Sequence, residues 1–174
     1  SNAIKHLIPF GELIALTSSS EHLIDGVDGV IFATETLVQK RQGETGASTI
    51  IPVIVNDVSL FVQDIGSTLR TLEYRFDKDR FGGLDMTARS PHLFEGRSIV
   101  DVGYQRHPNS IVWCVMSDGL LLGFTFMEEQ KVFAWHRHQT EGGAASYESV
   151  ACIREGDETA AYFVVKRTVG GVTK

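Results

Sequence analysis

Two cysteines and four prolines are few for a chain of 174 residues. Cys114 and Cys152 both stand inside apolar stretches, which does not resemble a disulfide-stapled secreted scaffold; two buried free thiols in a reducing compartment are expected. Long hydrophobic runs are missing as well. IIPVIV at 50–55 and LLLGFTFM at 120–127 fall far short of the roughly 18 residues that mark a membrane span, so none is expected. Basic charge is scarce and scattered: 16 Lys and Arg stand against 22 Asp and Glu, a net charge of -6. With no basic stripe, a tight grip on nucleic acid has no support. The acidic balance is a solubility statement first, although an acidic lining also suits a passage through which DNA slides without sticking. No Gly-x-Ser-x-Gly elbow and no Gly-x-x-x-x-Gly-Lys loop occurs, so neither a hydrolase nucleophile nor a phosphate cradle is in view.

What the chain does have is 43% hydrophobic residues, enough for a core, arranged with poor helical periodicity and many short β-rich runs between turn residues. The plainest stretch, 98–138, reads SIVDVGYQ, SIVWCVM, LLLGFTF and KVFAWHRH, four strands of a meander. Asp118-Gly119 is a tight-hairpin dipeptide, and Pro108-Asn109 and Glu128-Glu129-Gln130 supply the turns on either side. Upstream, TIIPVIV, SLFVQ and TLRTLEYRF repeat the pattern; downstream, SYESVACIR and AYFVVKR begin it again. Aligning Leu60-Phe61-Val62, Ile111-Val112-Trp113 and Tyr162-Phe163-Val164 gives a spacing of about 50 residues, a length at which repeats suggest propeller blades.

The expected fold is therefore all-β: consecutive antiparallel four-stranded meanders forming β-propeller-like blades, an incomplete propeller unless more chain follows. Residues 1–3, Ser-Asn-Ala, resemble the scar of a cleaved expression tag. Residues 4–174 then form one propeller-like fragment, with blades at 4–46, 47–94 and 95–142 and a partial one at 143–174. In the first, ELIALT takes the second strand. One departure from strand is expected, a short helix within 84–94 capped by Asp85 and broken before Pro91.

Few residues invite chemistry. In AWHRHQT, His136 and His138 stand two apart on a strand and share a face, with Trp135 and Arg137 on the other. That is half of a zinc site, and His6, His22, His92 and His107 lie in four other segments; edge histidines bonded to neighbours or solvent are the better reading. DKDRFGGLD places Asp77, Asp79 and Gly82 like the start of a calcium loop, but Phe81 and Ala88 stand where further oxygen ligands belong. A solvated hairpin is expected there, and a plain turn at SSSE, 18–21. The aromatic residues Trp113, Phe124, Phe126, Phe133 and Trp135 alternate along strands as one packing surface rather than a sugar platform.

DVGYQRHPNSIVWCVMSDGLLLGFTFMEEQKVFAWHRHQTEG, YESVACIREGDETAAYFVVKR and LFVQDIGSTLRTLEYRFDKDRFGGLDMTARSPHLF together resemble the C-terminal half of a family of tailed-bacteriophage and prophage virion proteins. The resemblance covers about residues 40–172 and points to the nozzle, or tail tubular, proteins of short-tailed phages. It implies a tail protein with propeller-like bodies that assembles as a ring, forms part of a DNA conduit, and meets an adaptor, fibres or neighbouring subunits. It implies a virion protein made in the bacterial cytoplasm, with no catalytic, cofactor-binding or metal-binding residue and no enzyme activity. The Gly- and Ala-rich link in QTEGGAASYESV departs from the shorter turn expected there. The rival is a binding module recognising host glycan or another tail protein; a propeller hydrolase, needing acidic or His residues converging on a central channel, stands third.

Overall fold

Alternating apolar and polar side chains fold as strands because one face of each strand must leave water while every backbone group needs a partner. The computed structural model describes residues 2–26, 37–140, 145–169 and 172–173, and the described chain is all-β. Its strands make four antiparallel sheets, each an open array with two edge strands. Among the described residues, no helix is long and apolar enough to cross a membrane, which says nothing of a β-barrel, since barrels cross with strands. The chain forms two compact units, Ser1–Asp85 and Met86–Lys174.

In the first unit, β1 (Ile4–Pro9), β2 (Leu13–Thr17), β3 (Glu21–Gly26) and β4 (Leu37–Gly43) pair in chain order. The second sheet of this unit joins β5 (Val53–Val55), β6 (Val58–Val62), β7 (Leu69–Arg75) and β8 (Arg80–Gly82) in the same way. The turn between β5 and β6 has only Asn56 and Asp57 to close it, and Asn56 takes φ 54, a left-handed conformation that asparagine tolerates. Both sheets contribute to one core: Ile8, Ile14, Leu16 and Leu23 meet Phe61, Leu72 and Phe81, with Ala47 among them.

The second unit opens with the meander β9 (Ile99–Gln105), β10 (Ile111–Met116), β11 (Leu121–Met127) and β12 (Val132–His138), where the sequence places its clearest strands. A long hairpin of β13 (Ala145–Glu155) and β14 (Glu158–Val169) follows, with β15 (Val172–Thr173) on its edge. The hairpin lies across the meander: Val150 and the half-buried Cys152, Ala161 and Phe163 pack on Trp113, Val115 and Leu121. Gly103 permits the approach, since a Cβ there would stand 3.1 Å from Cys152 Sγ and Val150 Cγ2. Asp101 Oδ2 pins the crossing by accepting from the Val150 N–H at 2.9 Å.

One sequence expectation gives way. Within 84–94 the only helical turn is a 3-10 turn, Pro91–Leu93, whose N-cap Ser90 makes no side-chain capping hydrogen bond. Asp85 does not cap it; its backbone bridges to Arg70. Pro91 begins the turn rather than ending a helix, because a proline at the first helical position loses no intrahelical bond. The hairpin expected at 77–85 forms, and it adds a strand the sequence did not name: β8 pairs with β7 from Glu73↔Gly82 to Arg75↔Arg80.

Candidate functional site: a histidine pair on an edge strand

One row of side chains crosses the meander as Gly103, Trp113, Gly123 and His136, fixed by the registers β9–β10, β10–β11 and β11–β12. Trp113 on β10 and His136 on β12 flank β11, and their rings can meet only if the β11 position between them is empty. Gly123 empties it. A Cβ there would lie 2.1 Å from His136 Cε1, so the His136 ring rests over the glycine. The ring faces Trp113 edge-on at 6.0 Å between centroids, His138 stands 4.9 Å from the same indole, and Phe163 closes the far side at 5.3 Å. Trp113 Nε1 donates to Gln105 Oε1 at 2.9 Å, so the buried indole keeps a polar partner.

The strand period does bring the two histidines to one face, and they then bond to each other: His136 Nδ1 and His138 Nε2 are 2.6 Å apart. His136 Nε2 lies 3.3 Å from Thr125 Oγ1. This arrangement requires one proton between the two nitrogens, so the doubly charged pair cannot keep it. Burial holds both imidazoles below the usual histidine range, and repulsion by His138 lowers His136 further. As a metal site the pair is incomplete, because among the described residues no group of three or more His, Cys, Asp or Glu converges.

The other histidines serve their own neighbourhoods. His6 Nε2 bonds Ser48 O, His22 sits between Ser20 Oγ and Gln39 Nε2, His92 lies in the 3-10 turn, and the His107 carbonyl accepts from the Thr159 N–H. The SSSE turn closes through Thr17 Oγ1, which donates to Ser20 O. Asp77 meets Arg75 Nε at 3.3 Å and Asp79 accepts from the Tyr74 hydroxyl, so both carboxylates of the calcium-like loop have protein partners. Both cysteines are free. Burial pushes Cys152 up to about 11 and Cys114 higher still, which makes them poor nucleophiles.

The five aromatic residues do not share one surface. Register puts Trp113 on the histidine face, while Phe124, Phe126, Phe133 and Trp135 occupy the other. There Trp135 stacks on Phe124 at 4.4 Å, meets Phe94 edge-on at 4.8 Å, and donates to Met86 O at 2.8 Å. Alternation within each strand is legible in the sequence, whereas the register between strands, which sorts the faces, is not.

A feature the sequence offered no sign of is a cavity of about 200 Å³ beside His138, with Arg97, Asp118, Arg137 and Tyr147 in its wall. Asp118 is already engaged by Arg97, so its carboxylate does not stand free in the wall. No family model and no curated protein matches the chain.

Proposed function

We propose that this chain is a structural component of a phage or prophage tail, a piece of nozzle or tail-assembly protein built of propeller-like blades, and that it performs no catalysis. The resemblance of its sequence words to tail proteins suggests the setting. The observation that carries an assembly role is the outward face of the β13–β14 hairpin. Its inward residues pack on the meander, while Ile153, Tyr162 and Val164 stand 54%, 49% and 56% exposed on the opposite side. Apolar residues grouped on one face of a sheet are normally covered by a partner. The partner in this reading is a neighbouring tail subunit, arranged in a ring, with DNA passing without specific contact.

The test is to replace Ile153 and Val164 together by Lys. Both side chains face outward, so the variant is expected to fold with a stability within about 0.5 kcal/mol of the parent. It should nevertheless fail to enter tailed particles. Normal incorporation of the folded variant would remove the face from the account. A host-glycan module is the other class of reading, and a glycan array on the same variant separates the two.

A further inference from the structure

In the first unit, around the neighbouring strands β4 and β8, there is a cavity of about 260 Å³. Its polar wall carries Glu21, Gln42, Glu44, Arg70, Thr71 and Arg80. Glu21 is the unusual member. It is 3% exposed, yet among the described residues its Oε1 has no hydrogen-bond partner, and Oε2 has only the Thr45 N–H at 3.4 Å. Buried carboxylate oxygens are held by ion pairs or by donors in nearly every folded protein, because an unmet one loses its hydration for nothing. The carboxylate lies against Gly43, where a Cβ would come within 2.2 Å of Oε2. Glycine at this β4 position is thus what admits the acid.

We propose that this cavity binds a neutral polyol of monosaccharide size, free or as the terminal unit of a glycan, with Glu21 accepting a ligand hydroxyl. Charge selects the class. The wall carries carboxylates at Glu21 and Glu44 and guanidinium groups at Arg70 and Arg80, with Glu44 itself paired to Arg41. An anion would have to sit against a buried carboxylate, and a cation against two arginines. A hydroxyl both donates and accepts, and suits a wall of mixed sign. Thr71 Oγ1 accepts from the Leu84 N–H at 2.8 Å and keeps its own proton to give. Gln42 spans from β4 to β8 by accepting from the Phe81 N–H at 2.9 Å, which holds the two strands at this spacing. The volume lies just under the roughly 300 Å³ at which drug-sized pockets begin, so one sugar ring is the scale of occupant. The inference concerns the first unit alone and does not depend on the tail reading.

The test is saturation-transfer NMR on the whole chain with a panel of neutral hexoses, 6-deoxyhexoses and N-acetylhexosamines at millimolar concentration, beside hexuronic acids, hexosamines and calcium. At least one neutral sugar should bind, and Glu21→Gln should weaken it about tenfold or more through loss of the charged acceptor. Arg80→Ala, at an exposed rim position, should weaken it as well and serves as the deciding variant if Glu21→Gln does not fold. Methyl glycosides binding as well as the free sugars would identify a glycan end as the source, and methyl glycosides failing would identify the free sugar. Silence across the neutral panel overturns the proposal. So does a response only to the charged probes, or sugar binding that neither variant changes.

Discussion

At the scale of single residues, the histidine pair has a consequence that can be measured without knowing its partner. His136 and His138 are held neutral by burial, and the groups that meet them on β10 and β11 are Trp113, Gly123 and Thr125, none of them charged. At the end of the strand, His138 borders the cavity wall with Arg97, Asp118, Arg137 and Tyr147. Both folded-state values lie below the unfolded one of about 6.5, so the unfolded chain takes up protons first as pH falls. The pair's contribution is whole above about pH 6.5 and is lost progressively from there down to the folded-state values. Urea midpoints measured at pH 7.5 and 5.5 should therefore differ in the parent, and the difference should shrink in the His136→Gln, His138→Gln double variant. An unchanged difference would mean that the slope belongs to other groups. Beside them, Trp113 is 8% exposed and fills the space between hairpin and meander. Trp113→Ala should cost about 3–5 kcal/mol by chemical denaturation. Trp135→Ala, with its ring only half-buried, should cost less.

At the scale of elements, the Asp118-Gly119 turn joins β10 to β11 and also seats the next hairpin. Gly119 has φ 82, its N–H donates to Met116 O, and its carbonyl accepts from the Tyr147 N–H. A Cβ at this position would stand 2.1 Å from Ser146 Oγ. Gly119→Ala therefore meets backbone strain and a clash with β13 together, and should cost about 1–3 kcal/mol in equilibrium unfolding. The turn was readable in the sequence because Asp-Gly between apolar runs has one common use. The same reasoning located β9 to β12 and the β13–β14 hairpin, whose alternation is long and clean. It placed only β2 in the first sheet, since IKHLIP and LVQKRQG carry weak alternation and gain their strand form from pairing. It missed β8, three residues that become strand only through β7. It also made a helix of 84–94, where composition allowed one and tertiary contacts did not. The meeting of His136 with His138 followed from the strand period alone. Their bond to each other, the empty place at Gly123 and the unmet oxygen of Glu21 depend on register and on packing between distant segments, which local pattern does not encode.

At the scale of the whole molecule, each unit is two open sheets sharing a core, with strand edges and apolar side chains left outward. Open sheets with apolar outer faces are aggregation hazards unless something covers them, and that is the ground on which an assembly role is proposed. Among the described residues the ion pairs include Arg97 with Asp118, Lys40 with Asp25 and Arg75 with Asp77. The deciding property is whether the protein is built into a virion. The direct measurement is quantitative mass spectrometry of gradient-purified tailed particles from cells that carry the gene. The tail reading predicts peptides of this chain at a fixed, ring-like copy number alongside portal and tail proteins, retained through the gradient. Particles that are complete and infectious but lack these peptides would contradict it.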